Sequence, residues 1–226
     1  MKTVIGDCEL YLGDCSQVMK EIPRVSCIVT DPPYEFETSG GGIFRRNRDN
    51  MDKIQEAGLD KGFDHLLLSG ENCDSCVVFC HNDQLPKLLP YIDSAFDRFA
   101  LCSWHKSNPM PVANQHYQPD TEFYIHAWNM GFAPTGELKD KKRYYLGQSG
   151  KDTDIDHPTV KPIPLMEKII GNTNSDTILD PFMGSGSTGV ACMKLGKKFV
   201  GIEINPKFYE IACKRLKEEY DQLKLF

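Results

Sequence analysis

The chain has 226 residues, of which 40% are hydrophobic and 26% are charged, and its net charge is −6. This composition fits one globular domain and excludes a non-specific nucleic-acid coat, whose affinity comes mainly from neutralising phosphates. No run of 18 apolar residues is present and an acid appears early at Asp7, so we expect neither a transmembrane helix nor a signal peptide. Nine cysteines are too few for a disulfide scaffold, which predicts a reducing, cytoplasmic setting.

Apolar runs and helical patterns alternate along the chain, which predicts an α/β fold built on a parallel sheet. The predicted strands are Glu9–Leu12, Ser26–Thr30, Ser75–His81, Phe99–His105, Glu122–Ala127, Asp176–Asp180 and Lys198–Glu203. The predicted helices are Cys15–Glu21, Leu85–Phe96, Pro164–Asn172, Ser187–Leu195 and Pro206–Leu223. The last helix has the clearest pattern, because Tyr209, Ala212, Cys213 and Leu216 recur at helical spacing.

Two polar, glycine-rich segments interrupt this alternation. Glu35–Gly62 contains Ser39-Gly40-Gly41-Gly42 and follows the motif described next, which favours a mobile lid over a surface loop without a role. Asn129–Asp156 is the second segment. Each of two basic clusters is interpreted either as a nucleic-acid contact or as solvated surface: Arg45, Arg46 and Arg48, and Lys139, Lys141, Lys142 and Arg143.

The tetrapeptide Asp31-Pro32-Pro33-Tyr34 directly follows the predicted strand Ser26–Thr30. It therefore lies at the carboxyl end of a strand, where open α/β sheets bind ligands. Pro33 holds Pro32 in an extended conformation, so the Asp31 carboxylate and the Pro32 carbonyl can both accept hydrogen bonds from one amine. Tyr34 offers a flat ring on which a base can stack. The motif predicts a site for an exocyclic amine, although an Asp-Pro-Pro turn can also lack a function.

A second motif, Asp180-Pro181-Phe182-Met183-Gly184-Ser185-Gly186-Ser187-Thr188, also follows a predicted strand. Its glycines allow a tight turn and close approach of a ligand, and Ser187 or Thr188 can cap the following helix. The next strand ends in Glu203, whose carboxylate can accept both hydroxyls of a ribose. The loop is neutral and has no phosphate-binding lysine, so it predicts an adenosine-type cofactor without phosphate, such as S-adenosylmethionine.

A zinc site is a weaker interpretation of the sequence. Cys73, Cys76, Cys80 and His81 are spaced like zinc ligands, but the apolar residues between them indicate a buried strand. Successive residues of a strand face opposite sides, which would scatter the ligands. We predict no metal.

With both motifs identified, the chain resembles the DNA amino-methyltransferases, which methylate adenine N6 or cytosine N4 with S-adenosylmethionine. The cofactor loop follows the amine motif, which is similar to the circularly permuted beta group. The resemblance covers nearly the whole chain and implies a single Rossmann-like methyltransferase domain, residues 1–226, with a mostly parallel seven-stranded sheet. Where the family often inserts a sizeable recognition region, only residues 129–156 are available, so sequence readout must use this short segment, the lid or another subunit.

The resemblance assigns roles by position. Leu12-Gly13-Asp14-Cys15 resembles the opening motif whose acid reaches the cofactor adenine. The tripeptide Gly-Asp-Cys also occurs earlier, at Gly6-Asp7-Cys8. Asp14 is preferred over Asp7 because a helix and then the amine motif follow it. Trp104–Pro111, with Lys106 and Asn108, resembles the segment that lines the target-base pocket, and His157–Pro162 resembles the motif near the methionine end of the cofactor. The implied cofactor residues are Asp14, Asp31, Thr159, Lys161, Asp180, Pro181, Phe182, Gly184, Ser185, Gly186, Ser187, Thr188 and Glu203. The implied catalytic residues are Asp31, Pro32, Pro33 and Tyr34, and the implied DNA contacts are Arg45, Arg46, Arg48, Lys106, Asn108, Lys139, Lys142 and Arg143.

The resemblance implies site-specific methylation of duplex DNA by base flipping, as in restriction-modification systems. Aspartate at the first position of the amine motif is typical of adenine N6 enzymes, so N6 is the preferred target. Three alternatives stay open: an N4-cytosine enzyme, an RNA base methyltransferase and a non-catalytic partner subunit. A second copy of the chain and a cognate restriction endonuclease are expected partners at the level of the family.

Overall fold

The computed structural model of the chain describes residues 1–34, 62–109, 111, 117–149 and 160–225. Most of the predicted lid, Glu35–Gly62, lies outside the described residues, as do Arg45, Arg46, Arg48 and Thr159. Within the described part of the chain, no helix has the length and apolar character needed to cross a bilayer.

One mixed sheet of nine strands forms the centre of the described residues. The strands are β1 (Lys2–Ile5), β2 (Cys8–Leu12), β3 (Val25–Thr30), β4 (Cys73–Cys80), β5 (Arg98–Lys106), β6 (Thr121–Trp128), β7 (Tyr144–Gly147), β8 (Thr177–Asp180) and β9 (Lys198–Glu203). Their order across the sheet is β1-β2-β9-β8-β3-β4-β6-β5-β7.

The predicted count of seven strands is wrong, because β1 and β7 add a strand at each edge of the sheet. β1 forms an antiparallel hairpin with β2 through the two-residue turn Gly6-Asp7, and β7 pairs in parallel with β5. Three pairings are antiparallel, β1 with β2, β4 with β6 and β5 with β6, so the sheet is mixed. Both added strands have only four residues, which is too short for a clear alternating pattern in the sequence.

Five α-helices are described: α1 (Cys15–Val18), α2 (Leu85–Ala95), α3 (Ile163–Gly171), α4 (Ser187–Lys194) and α5 (Pro206–Leu223). Short 3₁₀ helices span His65–Leu68 and Asn82–Gln84. The α5 helix has the predicted bounds because Asn205 caps it, accepting a hydrogen bond from the amide of Lys207 at 2.9 Å, and Pro206 fills the first turn. The predicted first helix is too long, since α1 ends at Val18.

Each face of the sheet is covered by its own apolar core. On one face, residues of α3, α4 and α5, such as Leu165, Val190 and Tyr209, pack on β2, β8 and β9. On the other face, Leu88 and Ile92 of α2 pack on β3, β4 and β6. Cys73, Cys76 and Cys80 of β4 are buried in this second core, where a free cysteine behaves as a small hydrophobe.

The central strands place both motifs at the same end of the sheet, where the carboxyl ends of these strands lie, and we call this end the active edge. β3 and β8 are parallel neighbours, with Cys27 beside Ile178 and Ile28 beside Leu179. β9 is parallel to β8 on its other side. Because the carboxyl ends of parallel neighbours lie together, Asp31, Asp180 and Glu203 emerge at one edge.

Candidate active site

The two motifs are joined by a buried hydrogen bond between side chains. Thr30, the last residue of β3, donates its hydroxyl to Oδ1 of Asp180 at 2.7 Å. The same carboxylate accepts from the amide of Phe182 at 3.1 Å and, through Oδ2, from the hydroxyl of Thr188 at 2.6 Å. Burial raises the pKa of Asp180 to about 6, although these donors oppose the increase. Asp180 thus anchors the glycine loop to the strand that ends at the amine motif.

Asp31 lies in a chain of alternating charges. Its Oδ1 accepts a hydrogen bond from the hydroxyl of Tyr34 at 2.8 Å, and its Oδ2 pairs with the Lys161 ammonium. Lys161 Nζ lies 3.3 Å from Oε2 of Glu122, and Lys106 Nζ lies 2.6 Å from Oε1 of the same residue. The Asp31 side chain is 24% exposed and that of Lys161 only 8%, so solvent screens their pairing little.

The charged groups of this chain shift one another's pKa values. Burial raises the pKa of Asp31, while the ammonium of Lys161 opposes that shift. Burial alone would lower the pKa of Lys161, but the carboxylates of Asp31 and Glu122 outweigh it and raise the pKa. Burial would also raise the pKa of Glu122, but Lys161 and Lys106 outweigh it, so the pKa is lowered. Lys161 therefore bridges two carboxylates.

An ionised carboxylate has about four acceptor positions on its two oxygens. Tyr34 and Lys161 each use one position on Asp31. The remaining lone pairs can accept a hydrogen bond from an incoming amine. The Lys161 ammonium also lies 4.9 Å from the centre of the buried Phe79 ring, a cation–π distance that fixes this side chain further.

The glycine loop is shaped by its backbone and by Glu203. Gly184 and Gly186 have φ of +52° and +82°, the left-handed region that side chains disfavour. Glu203 accepts hydrogen bonds from the amides of Gly184 and Asn205, both at 2.8 Å. Burial raises the pKa of Glu203, and the amides oppose the shift. The carboxylate predicted to hold a ribose therefore lies beside the turn of the loop.

The prediction that Ser187 or Thr188 caps helix α4 is wrong. Its N-cap is Gly186, with no side-chain cap, and Ser187 and Thr188 are the first residues of the helix. Thr188 donates to Asp180, so its hydroxyl is used for the loop anchor. Ser187 is used by Arg215 of α5, whose Nη1 donates to the carbonyl of Ser185 at 2.6 Å, to its Oγ at 3.1 Å and to Oγ of Ser187 at 3.3 Å.

The preference for Asp14 over Asp7 agrees with the geometry. Leu12 is opposite Glu203 on β9, and the amide of Gly13 donates to the carbonyl of Glu203 at 2.9 Å. Asp14 is exposed and accepts from the amide of Ser16 at 2.7 Å. Asp7 instead lies in the β1–β2 turn, where its carbonyl contacts Phe199 at the opposite end of β9. A cofactor contact by Asp14 stays a prediction.

The remaining predicted cofactor residues line the same loop. Pro181 and Ser185 are buried, and Phe182 is half-buried with its ring edge-on to Phe63 at 5.9 Å. Pro32 is buried and Pro33 half-buried beside Asp31.

The predicted DNA contacts are not all surface groups. Lys106 pairs with Glu122 inside the charge chain. Asn108 is exposed but bonded to Ser149, accepting from its amide at 2.8 Å. Lys139, Lys142 and Arg143 are exposed; Lys139 pairs with Glu137 at 2.9 Å, and Lys142 lies 5.7 Å from the ring of Tyr144. Contacts with DNA by these residues stay predictions.

Sequence reasoning missed Glu122, Phe79 and Arg215. Glu122 is the second residue of β6, and an acid near the start of a mostly apolar strand is the signal that the sequence offers. Phe79 was interpreted only as part of a buried strand. Arg215 had no local signal, because its partners Ser185 and Ser187 lie 30 and 28 residues away.

Fold and site together fit a class of protein, the α/β transferases: a carboxylate held by Tyr34 and Lys161 lies at the same end of the sheet as a glycine loop. A family model described as DNA methylase matches residues 25–214. The chain belongs to this family of N6/N4 DNA methylases. It is a site-specific DNA methyltransferase that uses S-adenosylmethionine.

Named relatives agree with this assignment. The type II methyltransferase M2.DpnII of Streptococcus pneumoniae is 35% identical over 222 residues, covering 85% of this chain and 82% of the relative. M2.LlaDCHI of Lactococcus lactis subsp. cremoris is 32% identical, covering 92% and 88%. The crystal structure of the M1.HpyAVI–SAM complex has a TM-score of 0.66 at 28% identity and covers 92% of this chain and 99% of that one. The cytosine-N4-specific PvuII methyltransferase has a TM-score of 0.63 at 13% identity, covers 96% and 92%, and shares the fold.

Proposed function

We propose that the protein transfers a methyl group from S-adenosylmethionine to the exocyclic N6 amine of adenine at a specific sequence in duplex DNA. The observation that carries the proposal is the placement of Asp31. Its carboxylate is held by Tyr34 and Lys161 at the edge of the sheet, and Thr30 ties that edge to the glycine loop through Asp180.

The residues present suit the proposed cofactor. Glu203 beside Gly184 suits the two hydroxyls of a ribose, and the loop from Gly184 to Thr188 contains no lysine or arginine that would bind a phosphate. Asp14 would lie at the adenine end and Lys161 near the methionine end. When bound, S-adenosylmethionine supplies an electrophilic methyl group on a sulfonium.

We assign the following tasks to the chain itself. The target base leaves the duplex stack, because its amine is not reachable inside it. Tyr34 offers a stacking face, worth roughly 1–3 kcal/mol by comparison with single-strand binders. Asp31 and the Pro32 carbonyl accept the two N–H bonds of the amine, which aims the nitrogen lone pair and removes it from conjugation with the ring. Asp31 thus orients the amine and stabilises positive charge on the nitrogen before the proton leaves.

Further features of the proposal concern organisation. The strand of the amine motif, β3, precedes the strand of the cofactor loop, β8, which supports a circularly permuted single domain over residues 1–226. Residues 129–156 would serve as a short target-recognition segment. We also propose a cytoplasmic location, with a second copy of the chain and a cognate restriction endonuclease as candidate partners.

Tritiated methyl transfer tests the proposed function. Duplex DNA, single-stranded DNA and RNA are incubated separately with the labelled cofactor, and the products are digested to nucleosides. We expect label in N6-methyl-2′-deoxyadenosine from duplex DNA, with a reaction lacking nucleic acid as the blank. Label in N4-methyl-2′-deoxycytidine would show that the target base is cytosine and not adenine. Label only in RNA would show that the substrate is RNA and not DNA. No label in any nucleic acid would favour the partner-subunit alternative.

A further inference from the structure

A second cavity, which we call the α3 pocket, lies between helix α3, strands β4 to β6 and the loop before β7. Its volume is about 310 Å³. Its walls include His126 and Trp128 of β6, Lys168 of α3 and Arg143 of the loop. It is separate from the Asp31 cluster: Glu122 and His126 share one face of β6 but lie four residues apart, about 13 Å along a strand. The packed rings of Phe79 and Tyr124 lie between them, with centres 5.4 Å apart.

The pocket is basic. Among the described residues that line it, four are cationic, namely Lys141, Lys142, Arg143 and Lys168, and none is acidic. None of the four forms an ion pair within the described residues. Lys168 is half-buried and donates to the carbonyl of Lys142 at 3.0 Å and to Oδ1 of Asn172 at 3.3 Å. Burial lowers the pKa of Lys168, although Cys102 and Asp140 oppose the shift. A bound anion would supply the negative charge that the described walls of the pocket lack.

One residue of the pocket wall has an unsatisfied polar atom. His126 is only 6% exposed, and its Nε2 is buried with no hydrogen-bond partner among the described residues. A buried polar atom without a partner costs about 1–3 kcal/mol, so a hydrogen bond from a ligand to this imidazole would be favourable. Burial, and then the charge of Lys168, lowers the pKa of His126 to about 4, so the imidazole is neutral near pH 7 and can donate or accept.

The other walls are flat and apolar. Tyr124 and Trp128 line the pocket beside His126, and the His126 and Trp128 rings are 5.3 Å apart. Val77, Ala100 and Ile169 complete this part. A ligand that fits needs a planar body for these walls and an anionic group for the lysines and Arg143. The volume lies at the small end of the range for ligand pockets, about 300–1,000 Å³.

We propose that the α3 pocket binds a nucleoside monophosphate unit, with the phosphate against Arg143 and Lys168 and the base against Trp128 and His126. The unit can be a free nucleotide or one nucleotide of a DNA strand. The site is independent of the identity of the methylated base, because it shares no residue with the Asp31 cluster or the glycine loop.

The test uses thymidine 5′-monophosphate, which contains neither adenine nor an exocyclic amine and so avoids both the cofactor site and the target-base site. Binding is followed through the imidazole resonances of ¹⁵N-histidine-labelled full chain, with His126 assigned by His126→Gln. We expect saturable shifts at His126, a much weaker effect from thymidine without the phosphate, and at least tenfold weaker binding in Arg143→Gln and in Lys168→Gln.

Lys214→Gln is the matched control, because Lys214 is exposed on α5, outside the pocket, and pairs with its helical neighbour Glu218 at 3.9 Å. Arg143 is exposed, so Arg143→Gln tests the pocket even if Lys168→Gln does not fold. Displacement of the nucleotide by duplex DNA would identify a DNA nucleotide as the occupant, and simultaneous binding would identify a free nucleotide. No shift at His126 with millimolar thymidine monophosphate, or equal affinity in Arg143→Gln and Lys214→Gln, would overturn the proposal, and neither result would bear on methyl transfer.

Discussion

Thr30 and Asp180 lie 150 residues apart in the chain and share a buried hydrogen bond of 2.7 Å. This bond joins the strand that leads to the amine motif to the strand that leads into the glycine loop. Positioning of two reactants is one of the largest sources of catalytic acceleration, so a fixed distance between these loops matters for methyl transfer.

We expect Thr30→Val to destabilise the protein in a pH-dependent way. The pKa of Asp180 is about 6, above that of an unfolded aspartate, so its stabilising effect is present below about pH 4 and is lost as pH rises through 6. Thr30 lowers this pKa, so removing its hydroxyl penalises the ionised state further. The loss of unfolding free energy should be about 1–3 kcal/mol at pH 8 and smaller at pH 5, measured by urea unfolding.

Thr177→Val is the control for that experiment. Thr177 begins the same strand as Asp180, and its hydroxyl makes no hydrogen bond within the described residues. Equal losses for the two variants at both pH values would contradict the proposed anchor.

Lys161→Met should move the acidic limb of the pH–rate profile upward. Lys161 lowers the pKa of Asp31, so without it Asp31 takes up a proton at higher pH and no longer accepts hydrogen bonds from the amine on both oxygens. We expect kcat to fall at least tenfold near pH 7 and less at pH 9. Removing one partner of a buried pair also destabilises a protein, by about 3–5 kcal/mol, so folding is checked by circular dichroism.

Lys161→Arg retains the charge and should keep the acidic limb near that of the unmodified protein. An unchanged limb in a folded Lys161→Met variant would show that Lys161 does not control the ionisation of Asp31.

Arg215→Ala should weaken cofactor use more than catalysis. The guanidinium joins Ser185 and Ser187 to α5 through charged hydrogen bonds, and these hold the loop in its binding shape. We expect the KM for S-adenosylmethionine to rise about tenfold, about 1.4 kcal/mol, with kcat changed less than threefold. Arg215→Lys should restore part of the loss. A fall in kcat at unchanged KM would contradict a positioning role.

Gly186→Ala should disrupt the same loop. Gly186 has φ of +82°, and a Cβ there would lie 2.9 Å from Cδ1 of Leu216 and 3.0 Å from Cβ of Ala212. The left-handed strain and the clash predict a loss of about 1–3 kcal/mol in unfolding free energy, together with weaker cofactor binding. Gly171→Ala is the control, because nothing lies within 4 Å of a Cβ at the end of α3. Similar unfolding curves for both variants would contradict the strain argument.

Elements with strong local patterns could be predicted from the sequence. The α5 helix has the expected bounds, since Asn205, Pro206 and an apolar stripe all specify it. The bounds of β8 and β9 agree with the predicted strands to within one residue, because each is a short apolar run that ends in an acid. β1 and β7 were missed because they are short edge strands stabilised by pairing with β2 and β5, which no local pattern reveals.

The residues of the site also fall into those that the sequence could locate and those that it could not. Asp31 and Glu203 could be located because Asp31 directly follows an apolar strand and Glu203 ends one. The bridging role of Lys161 between Asp31 and Glu122 could not, because it depends on β6 running antiparallel beside β4 and bringing its first residues to the active edge. Contacts between distant segments follow from the topology of the sheet, and sequence periodicity carries no information about them.

The central claim is that Asp31 orients the target amine. Its most direct test compares methyl transfer to duplex DNA with S-adenosylmethionine binding in purified Asp31→Ala. We expect methyl transfer to be abolished while the dissociation constant for the cofactor changes by less than about threefold, because the glycine loop is held by Asp180, Glu203 and Arg215. Near-normal turnover on DNA by the folded variant would contradict the account.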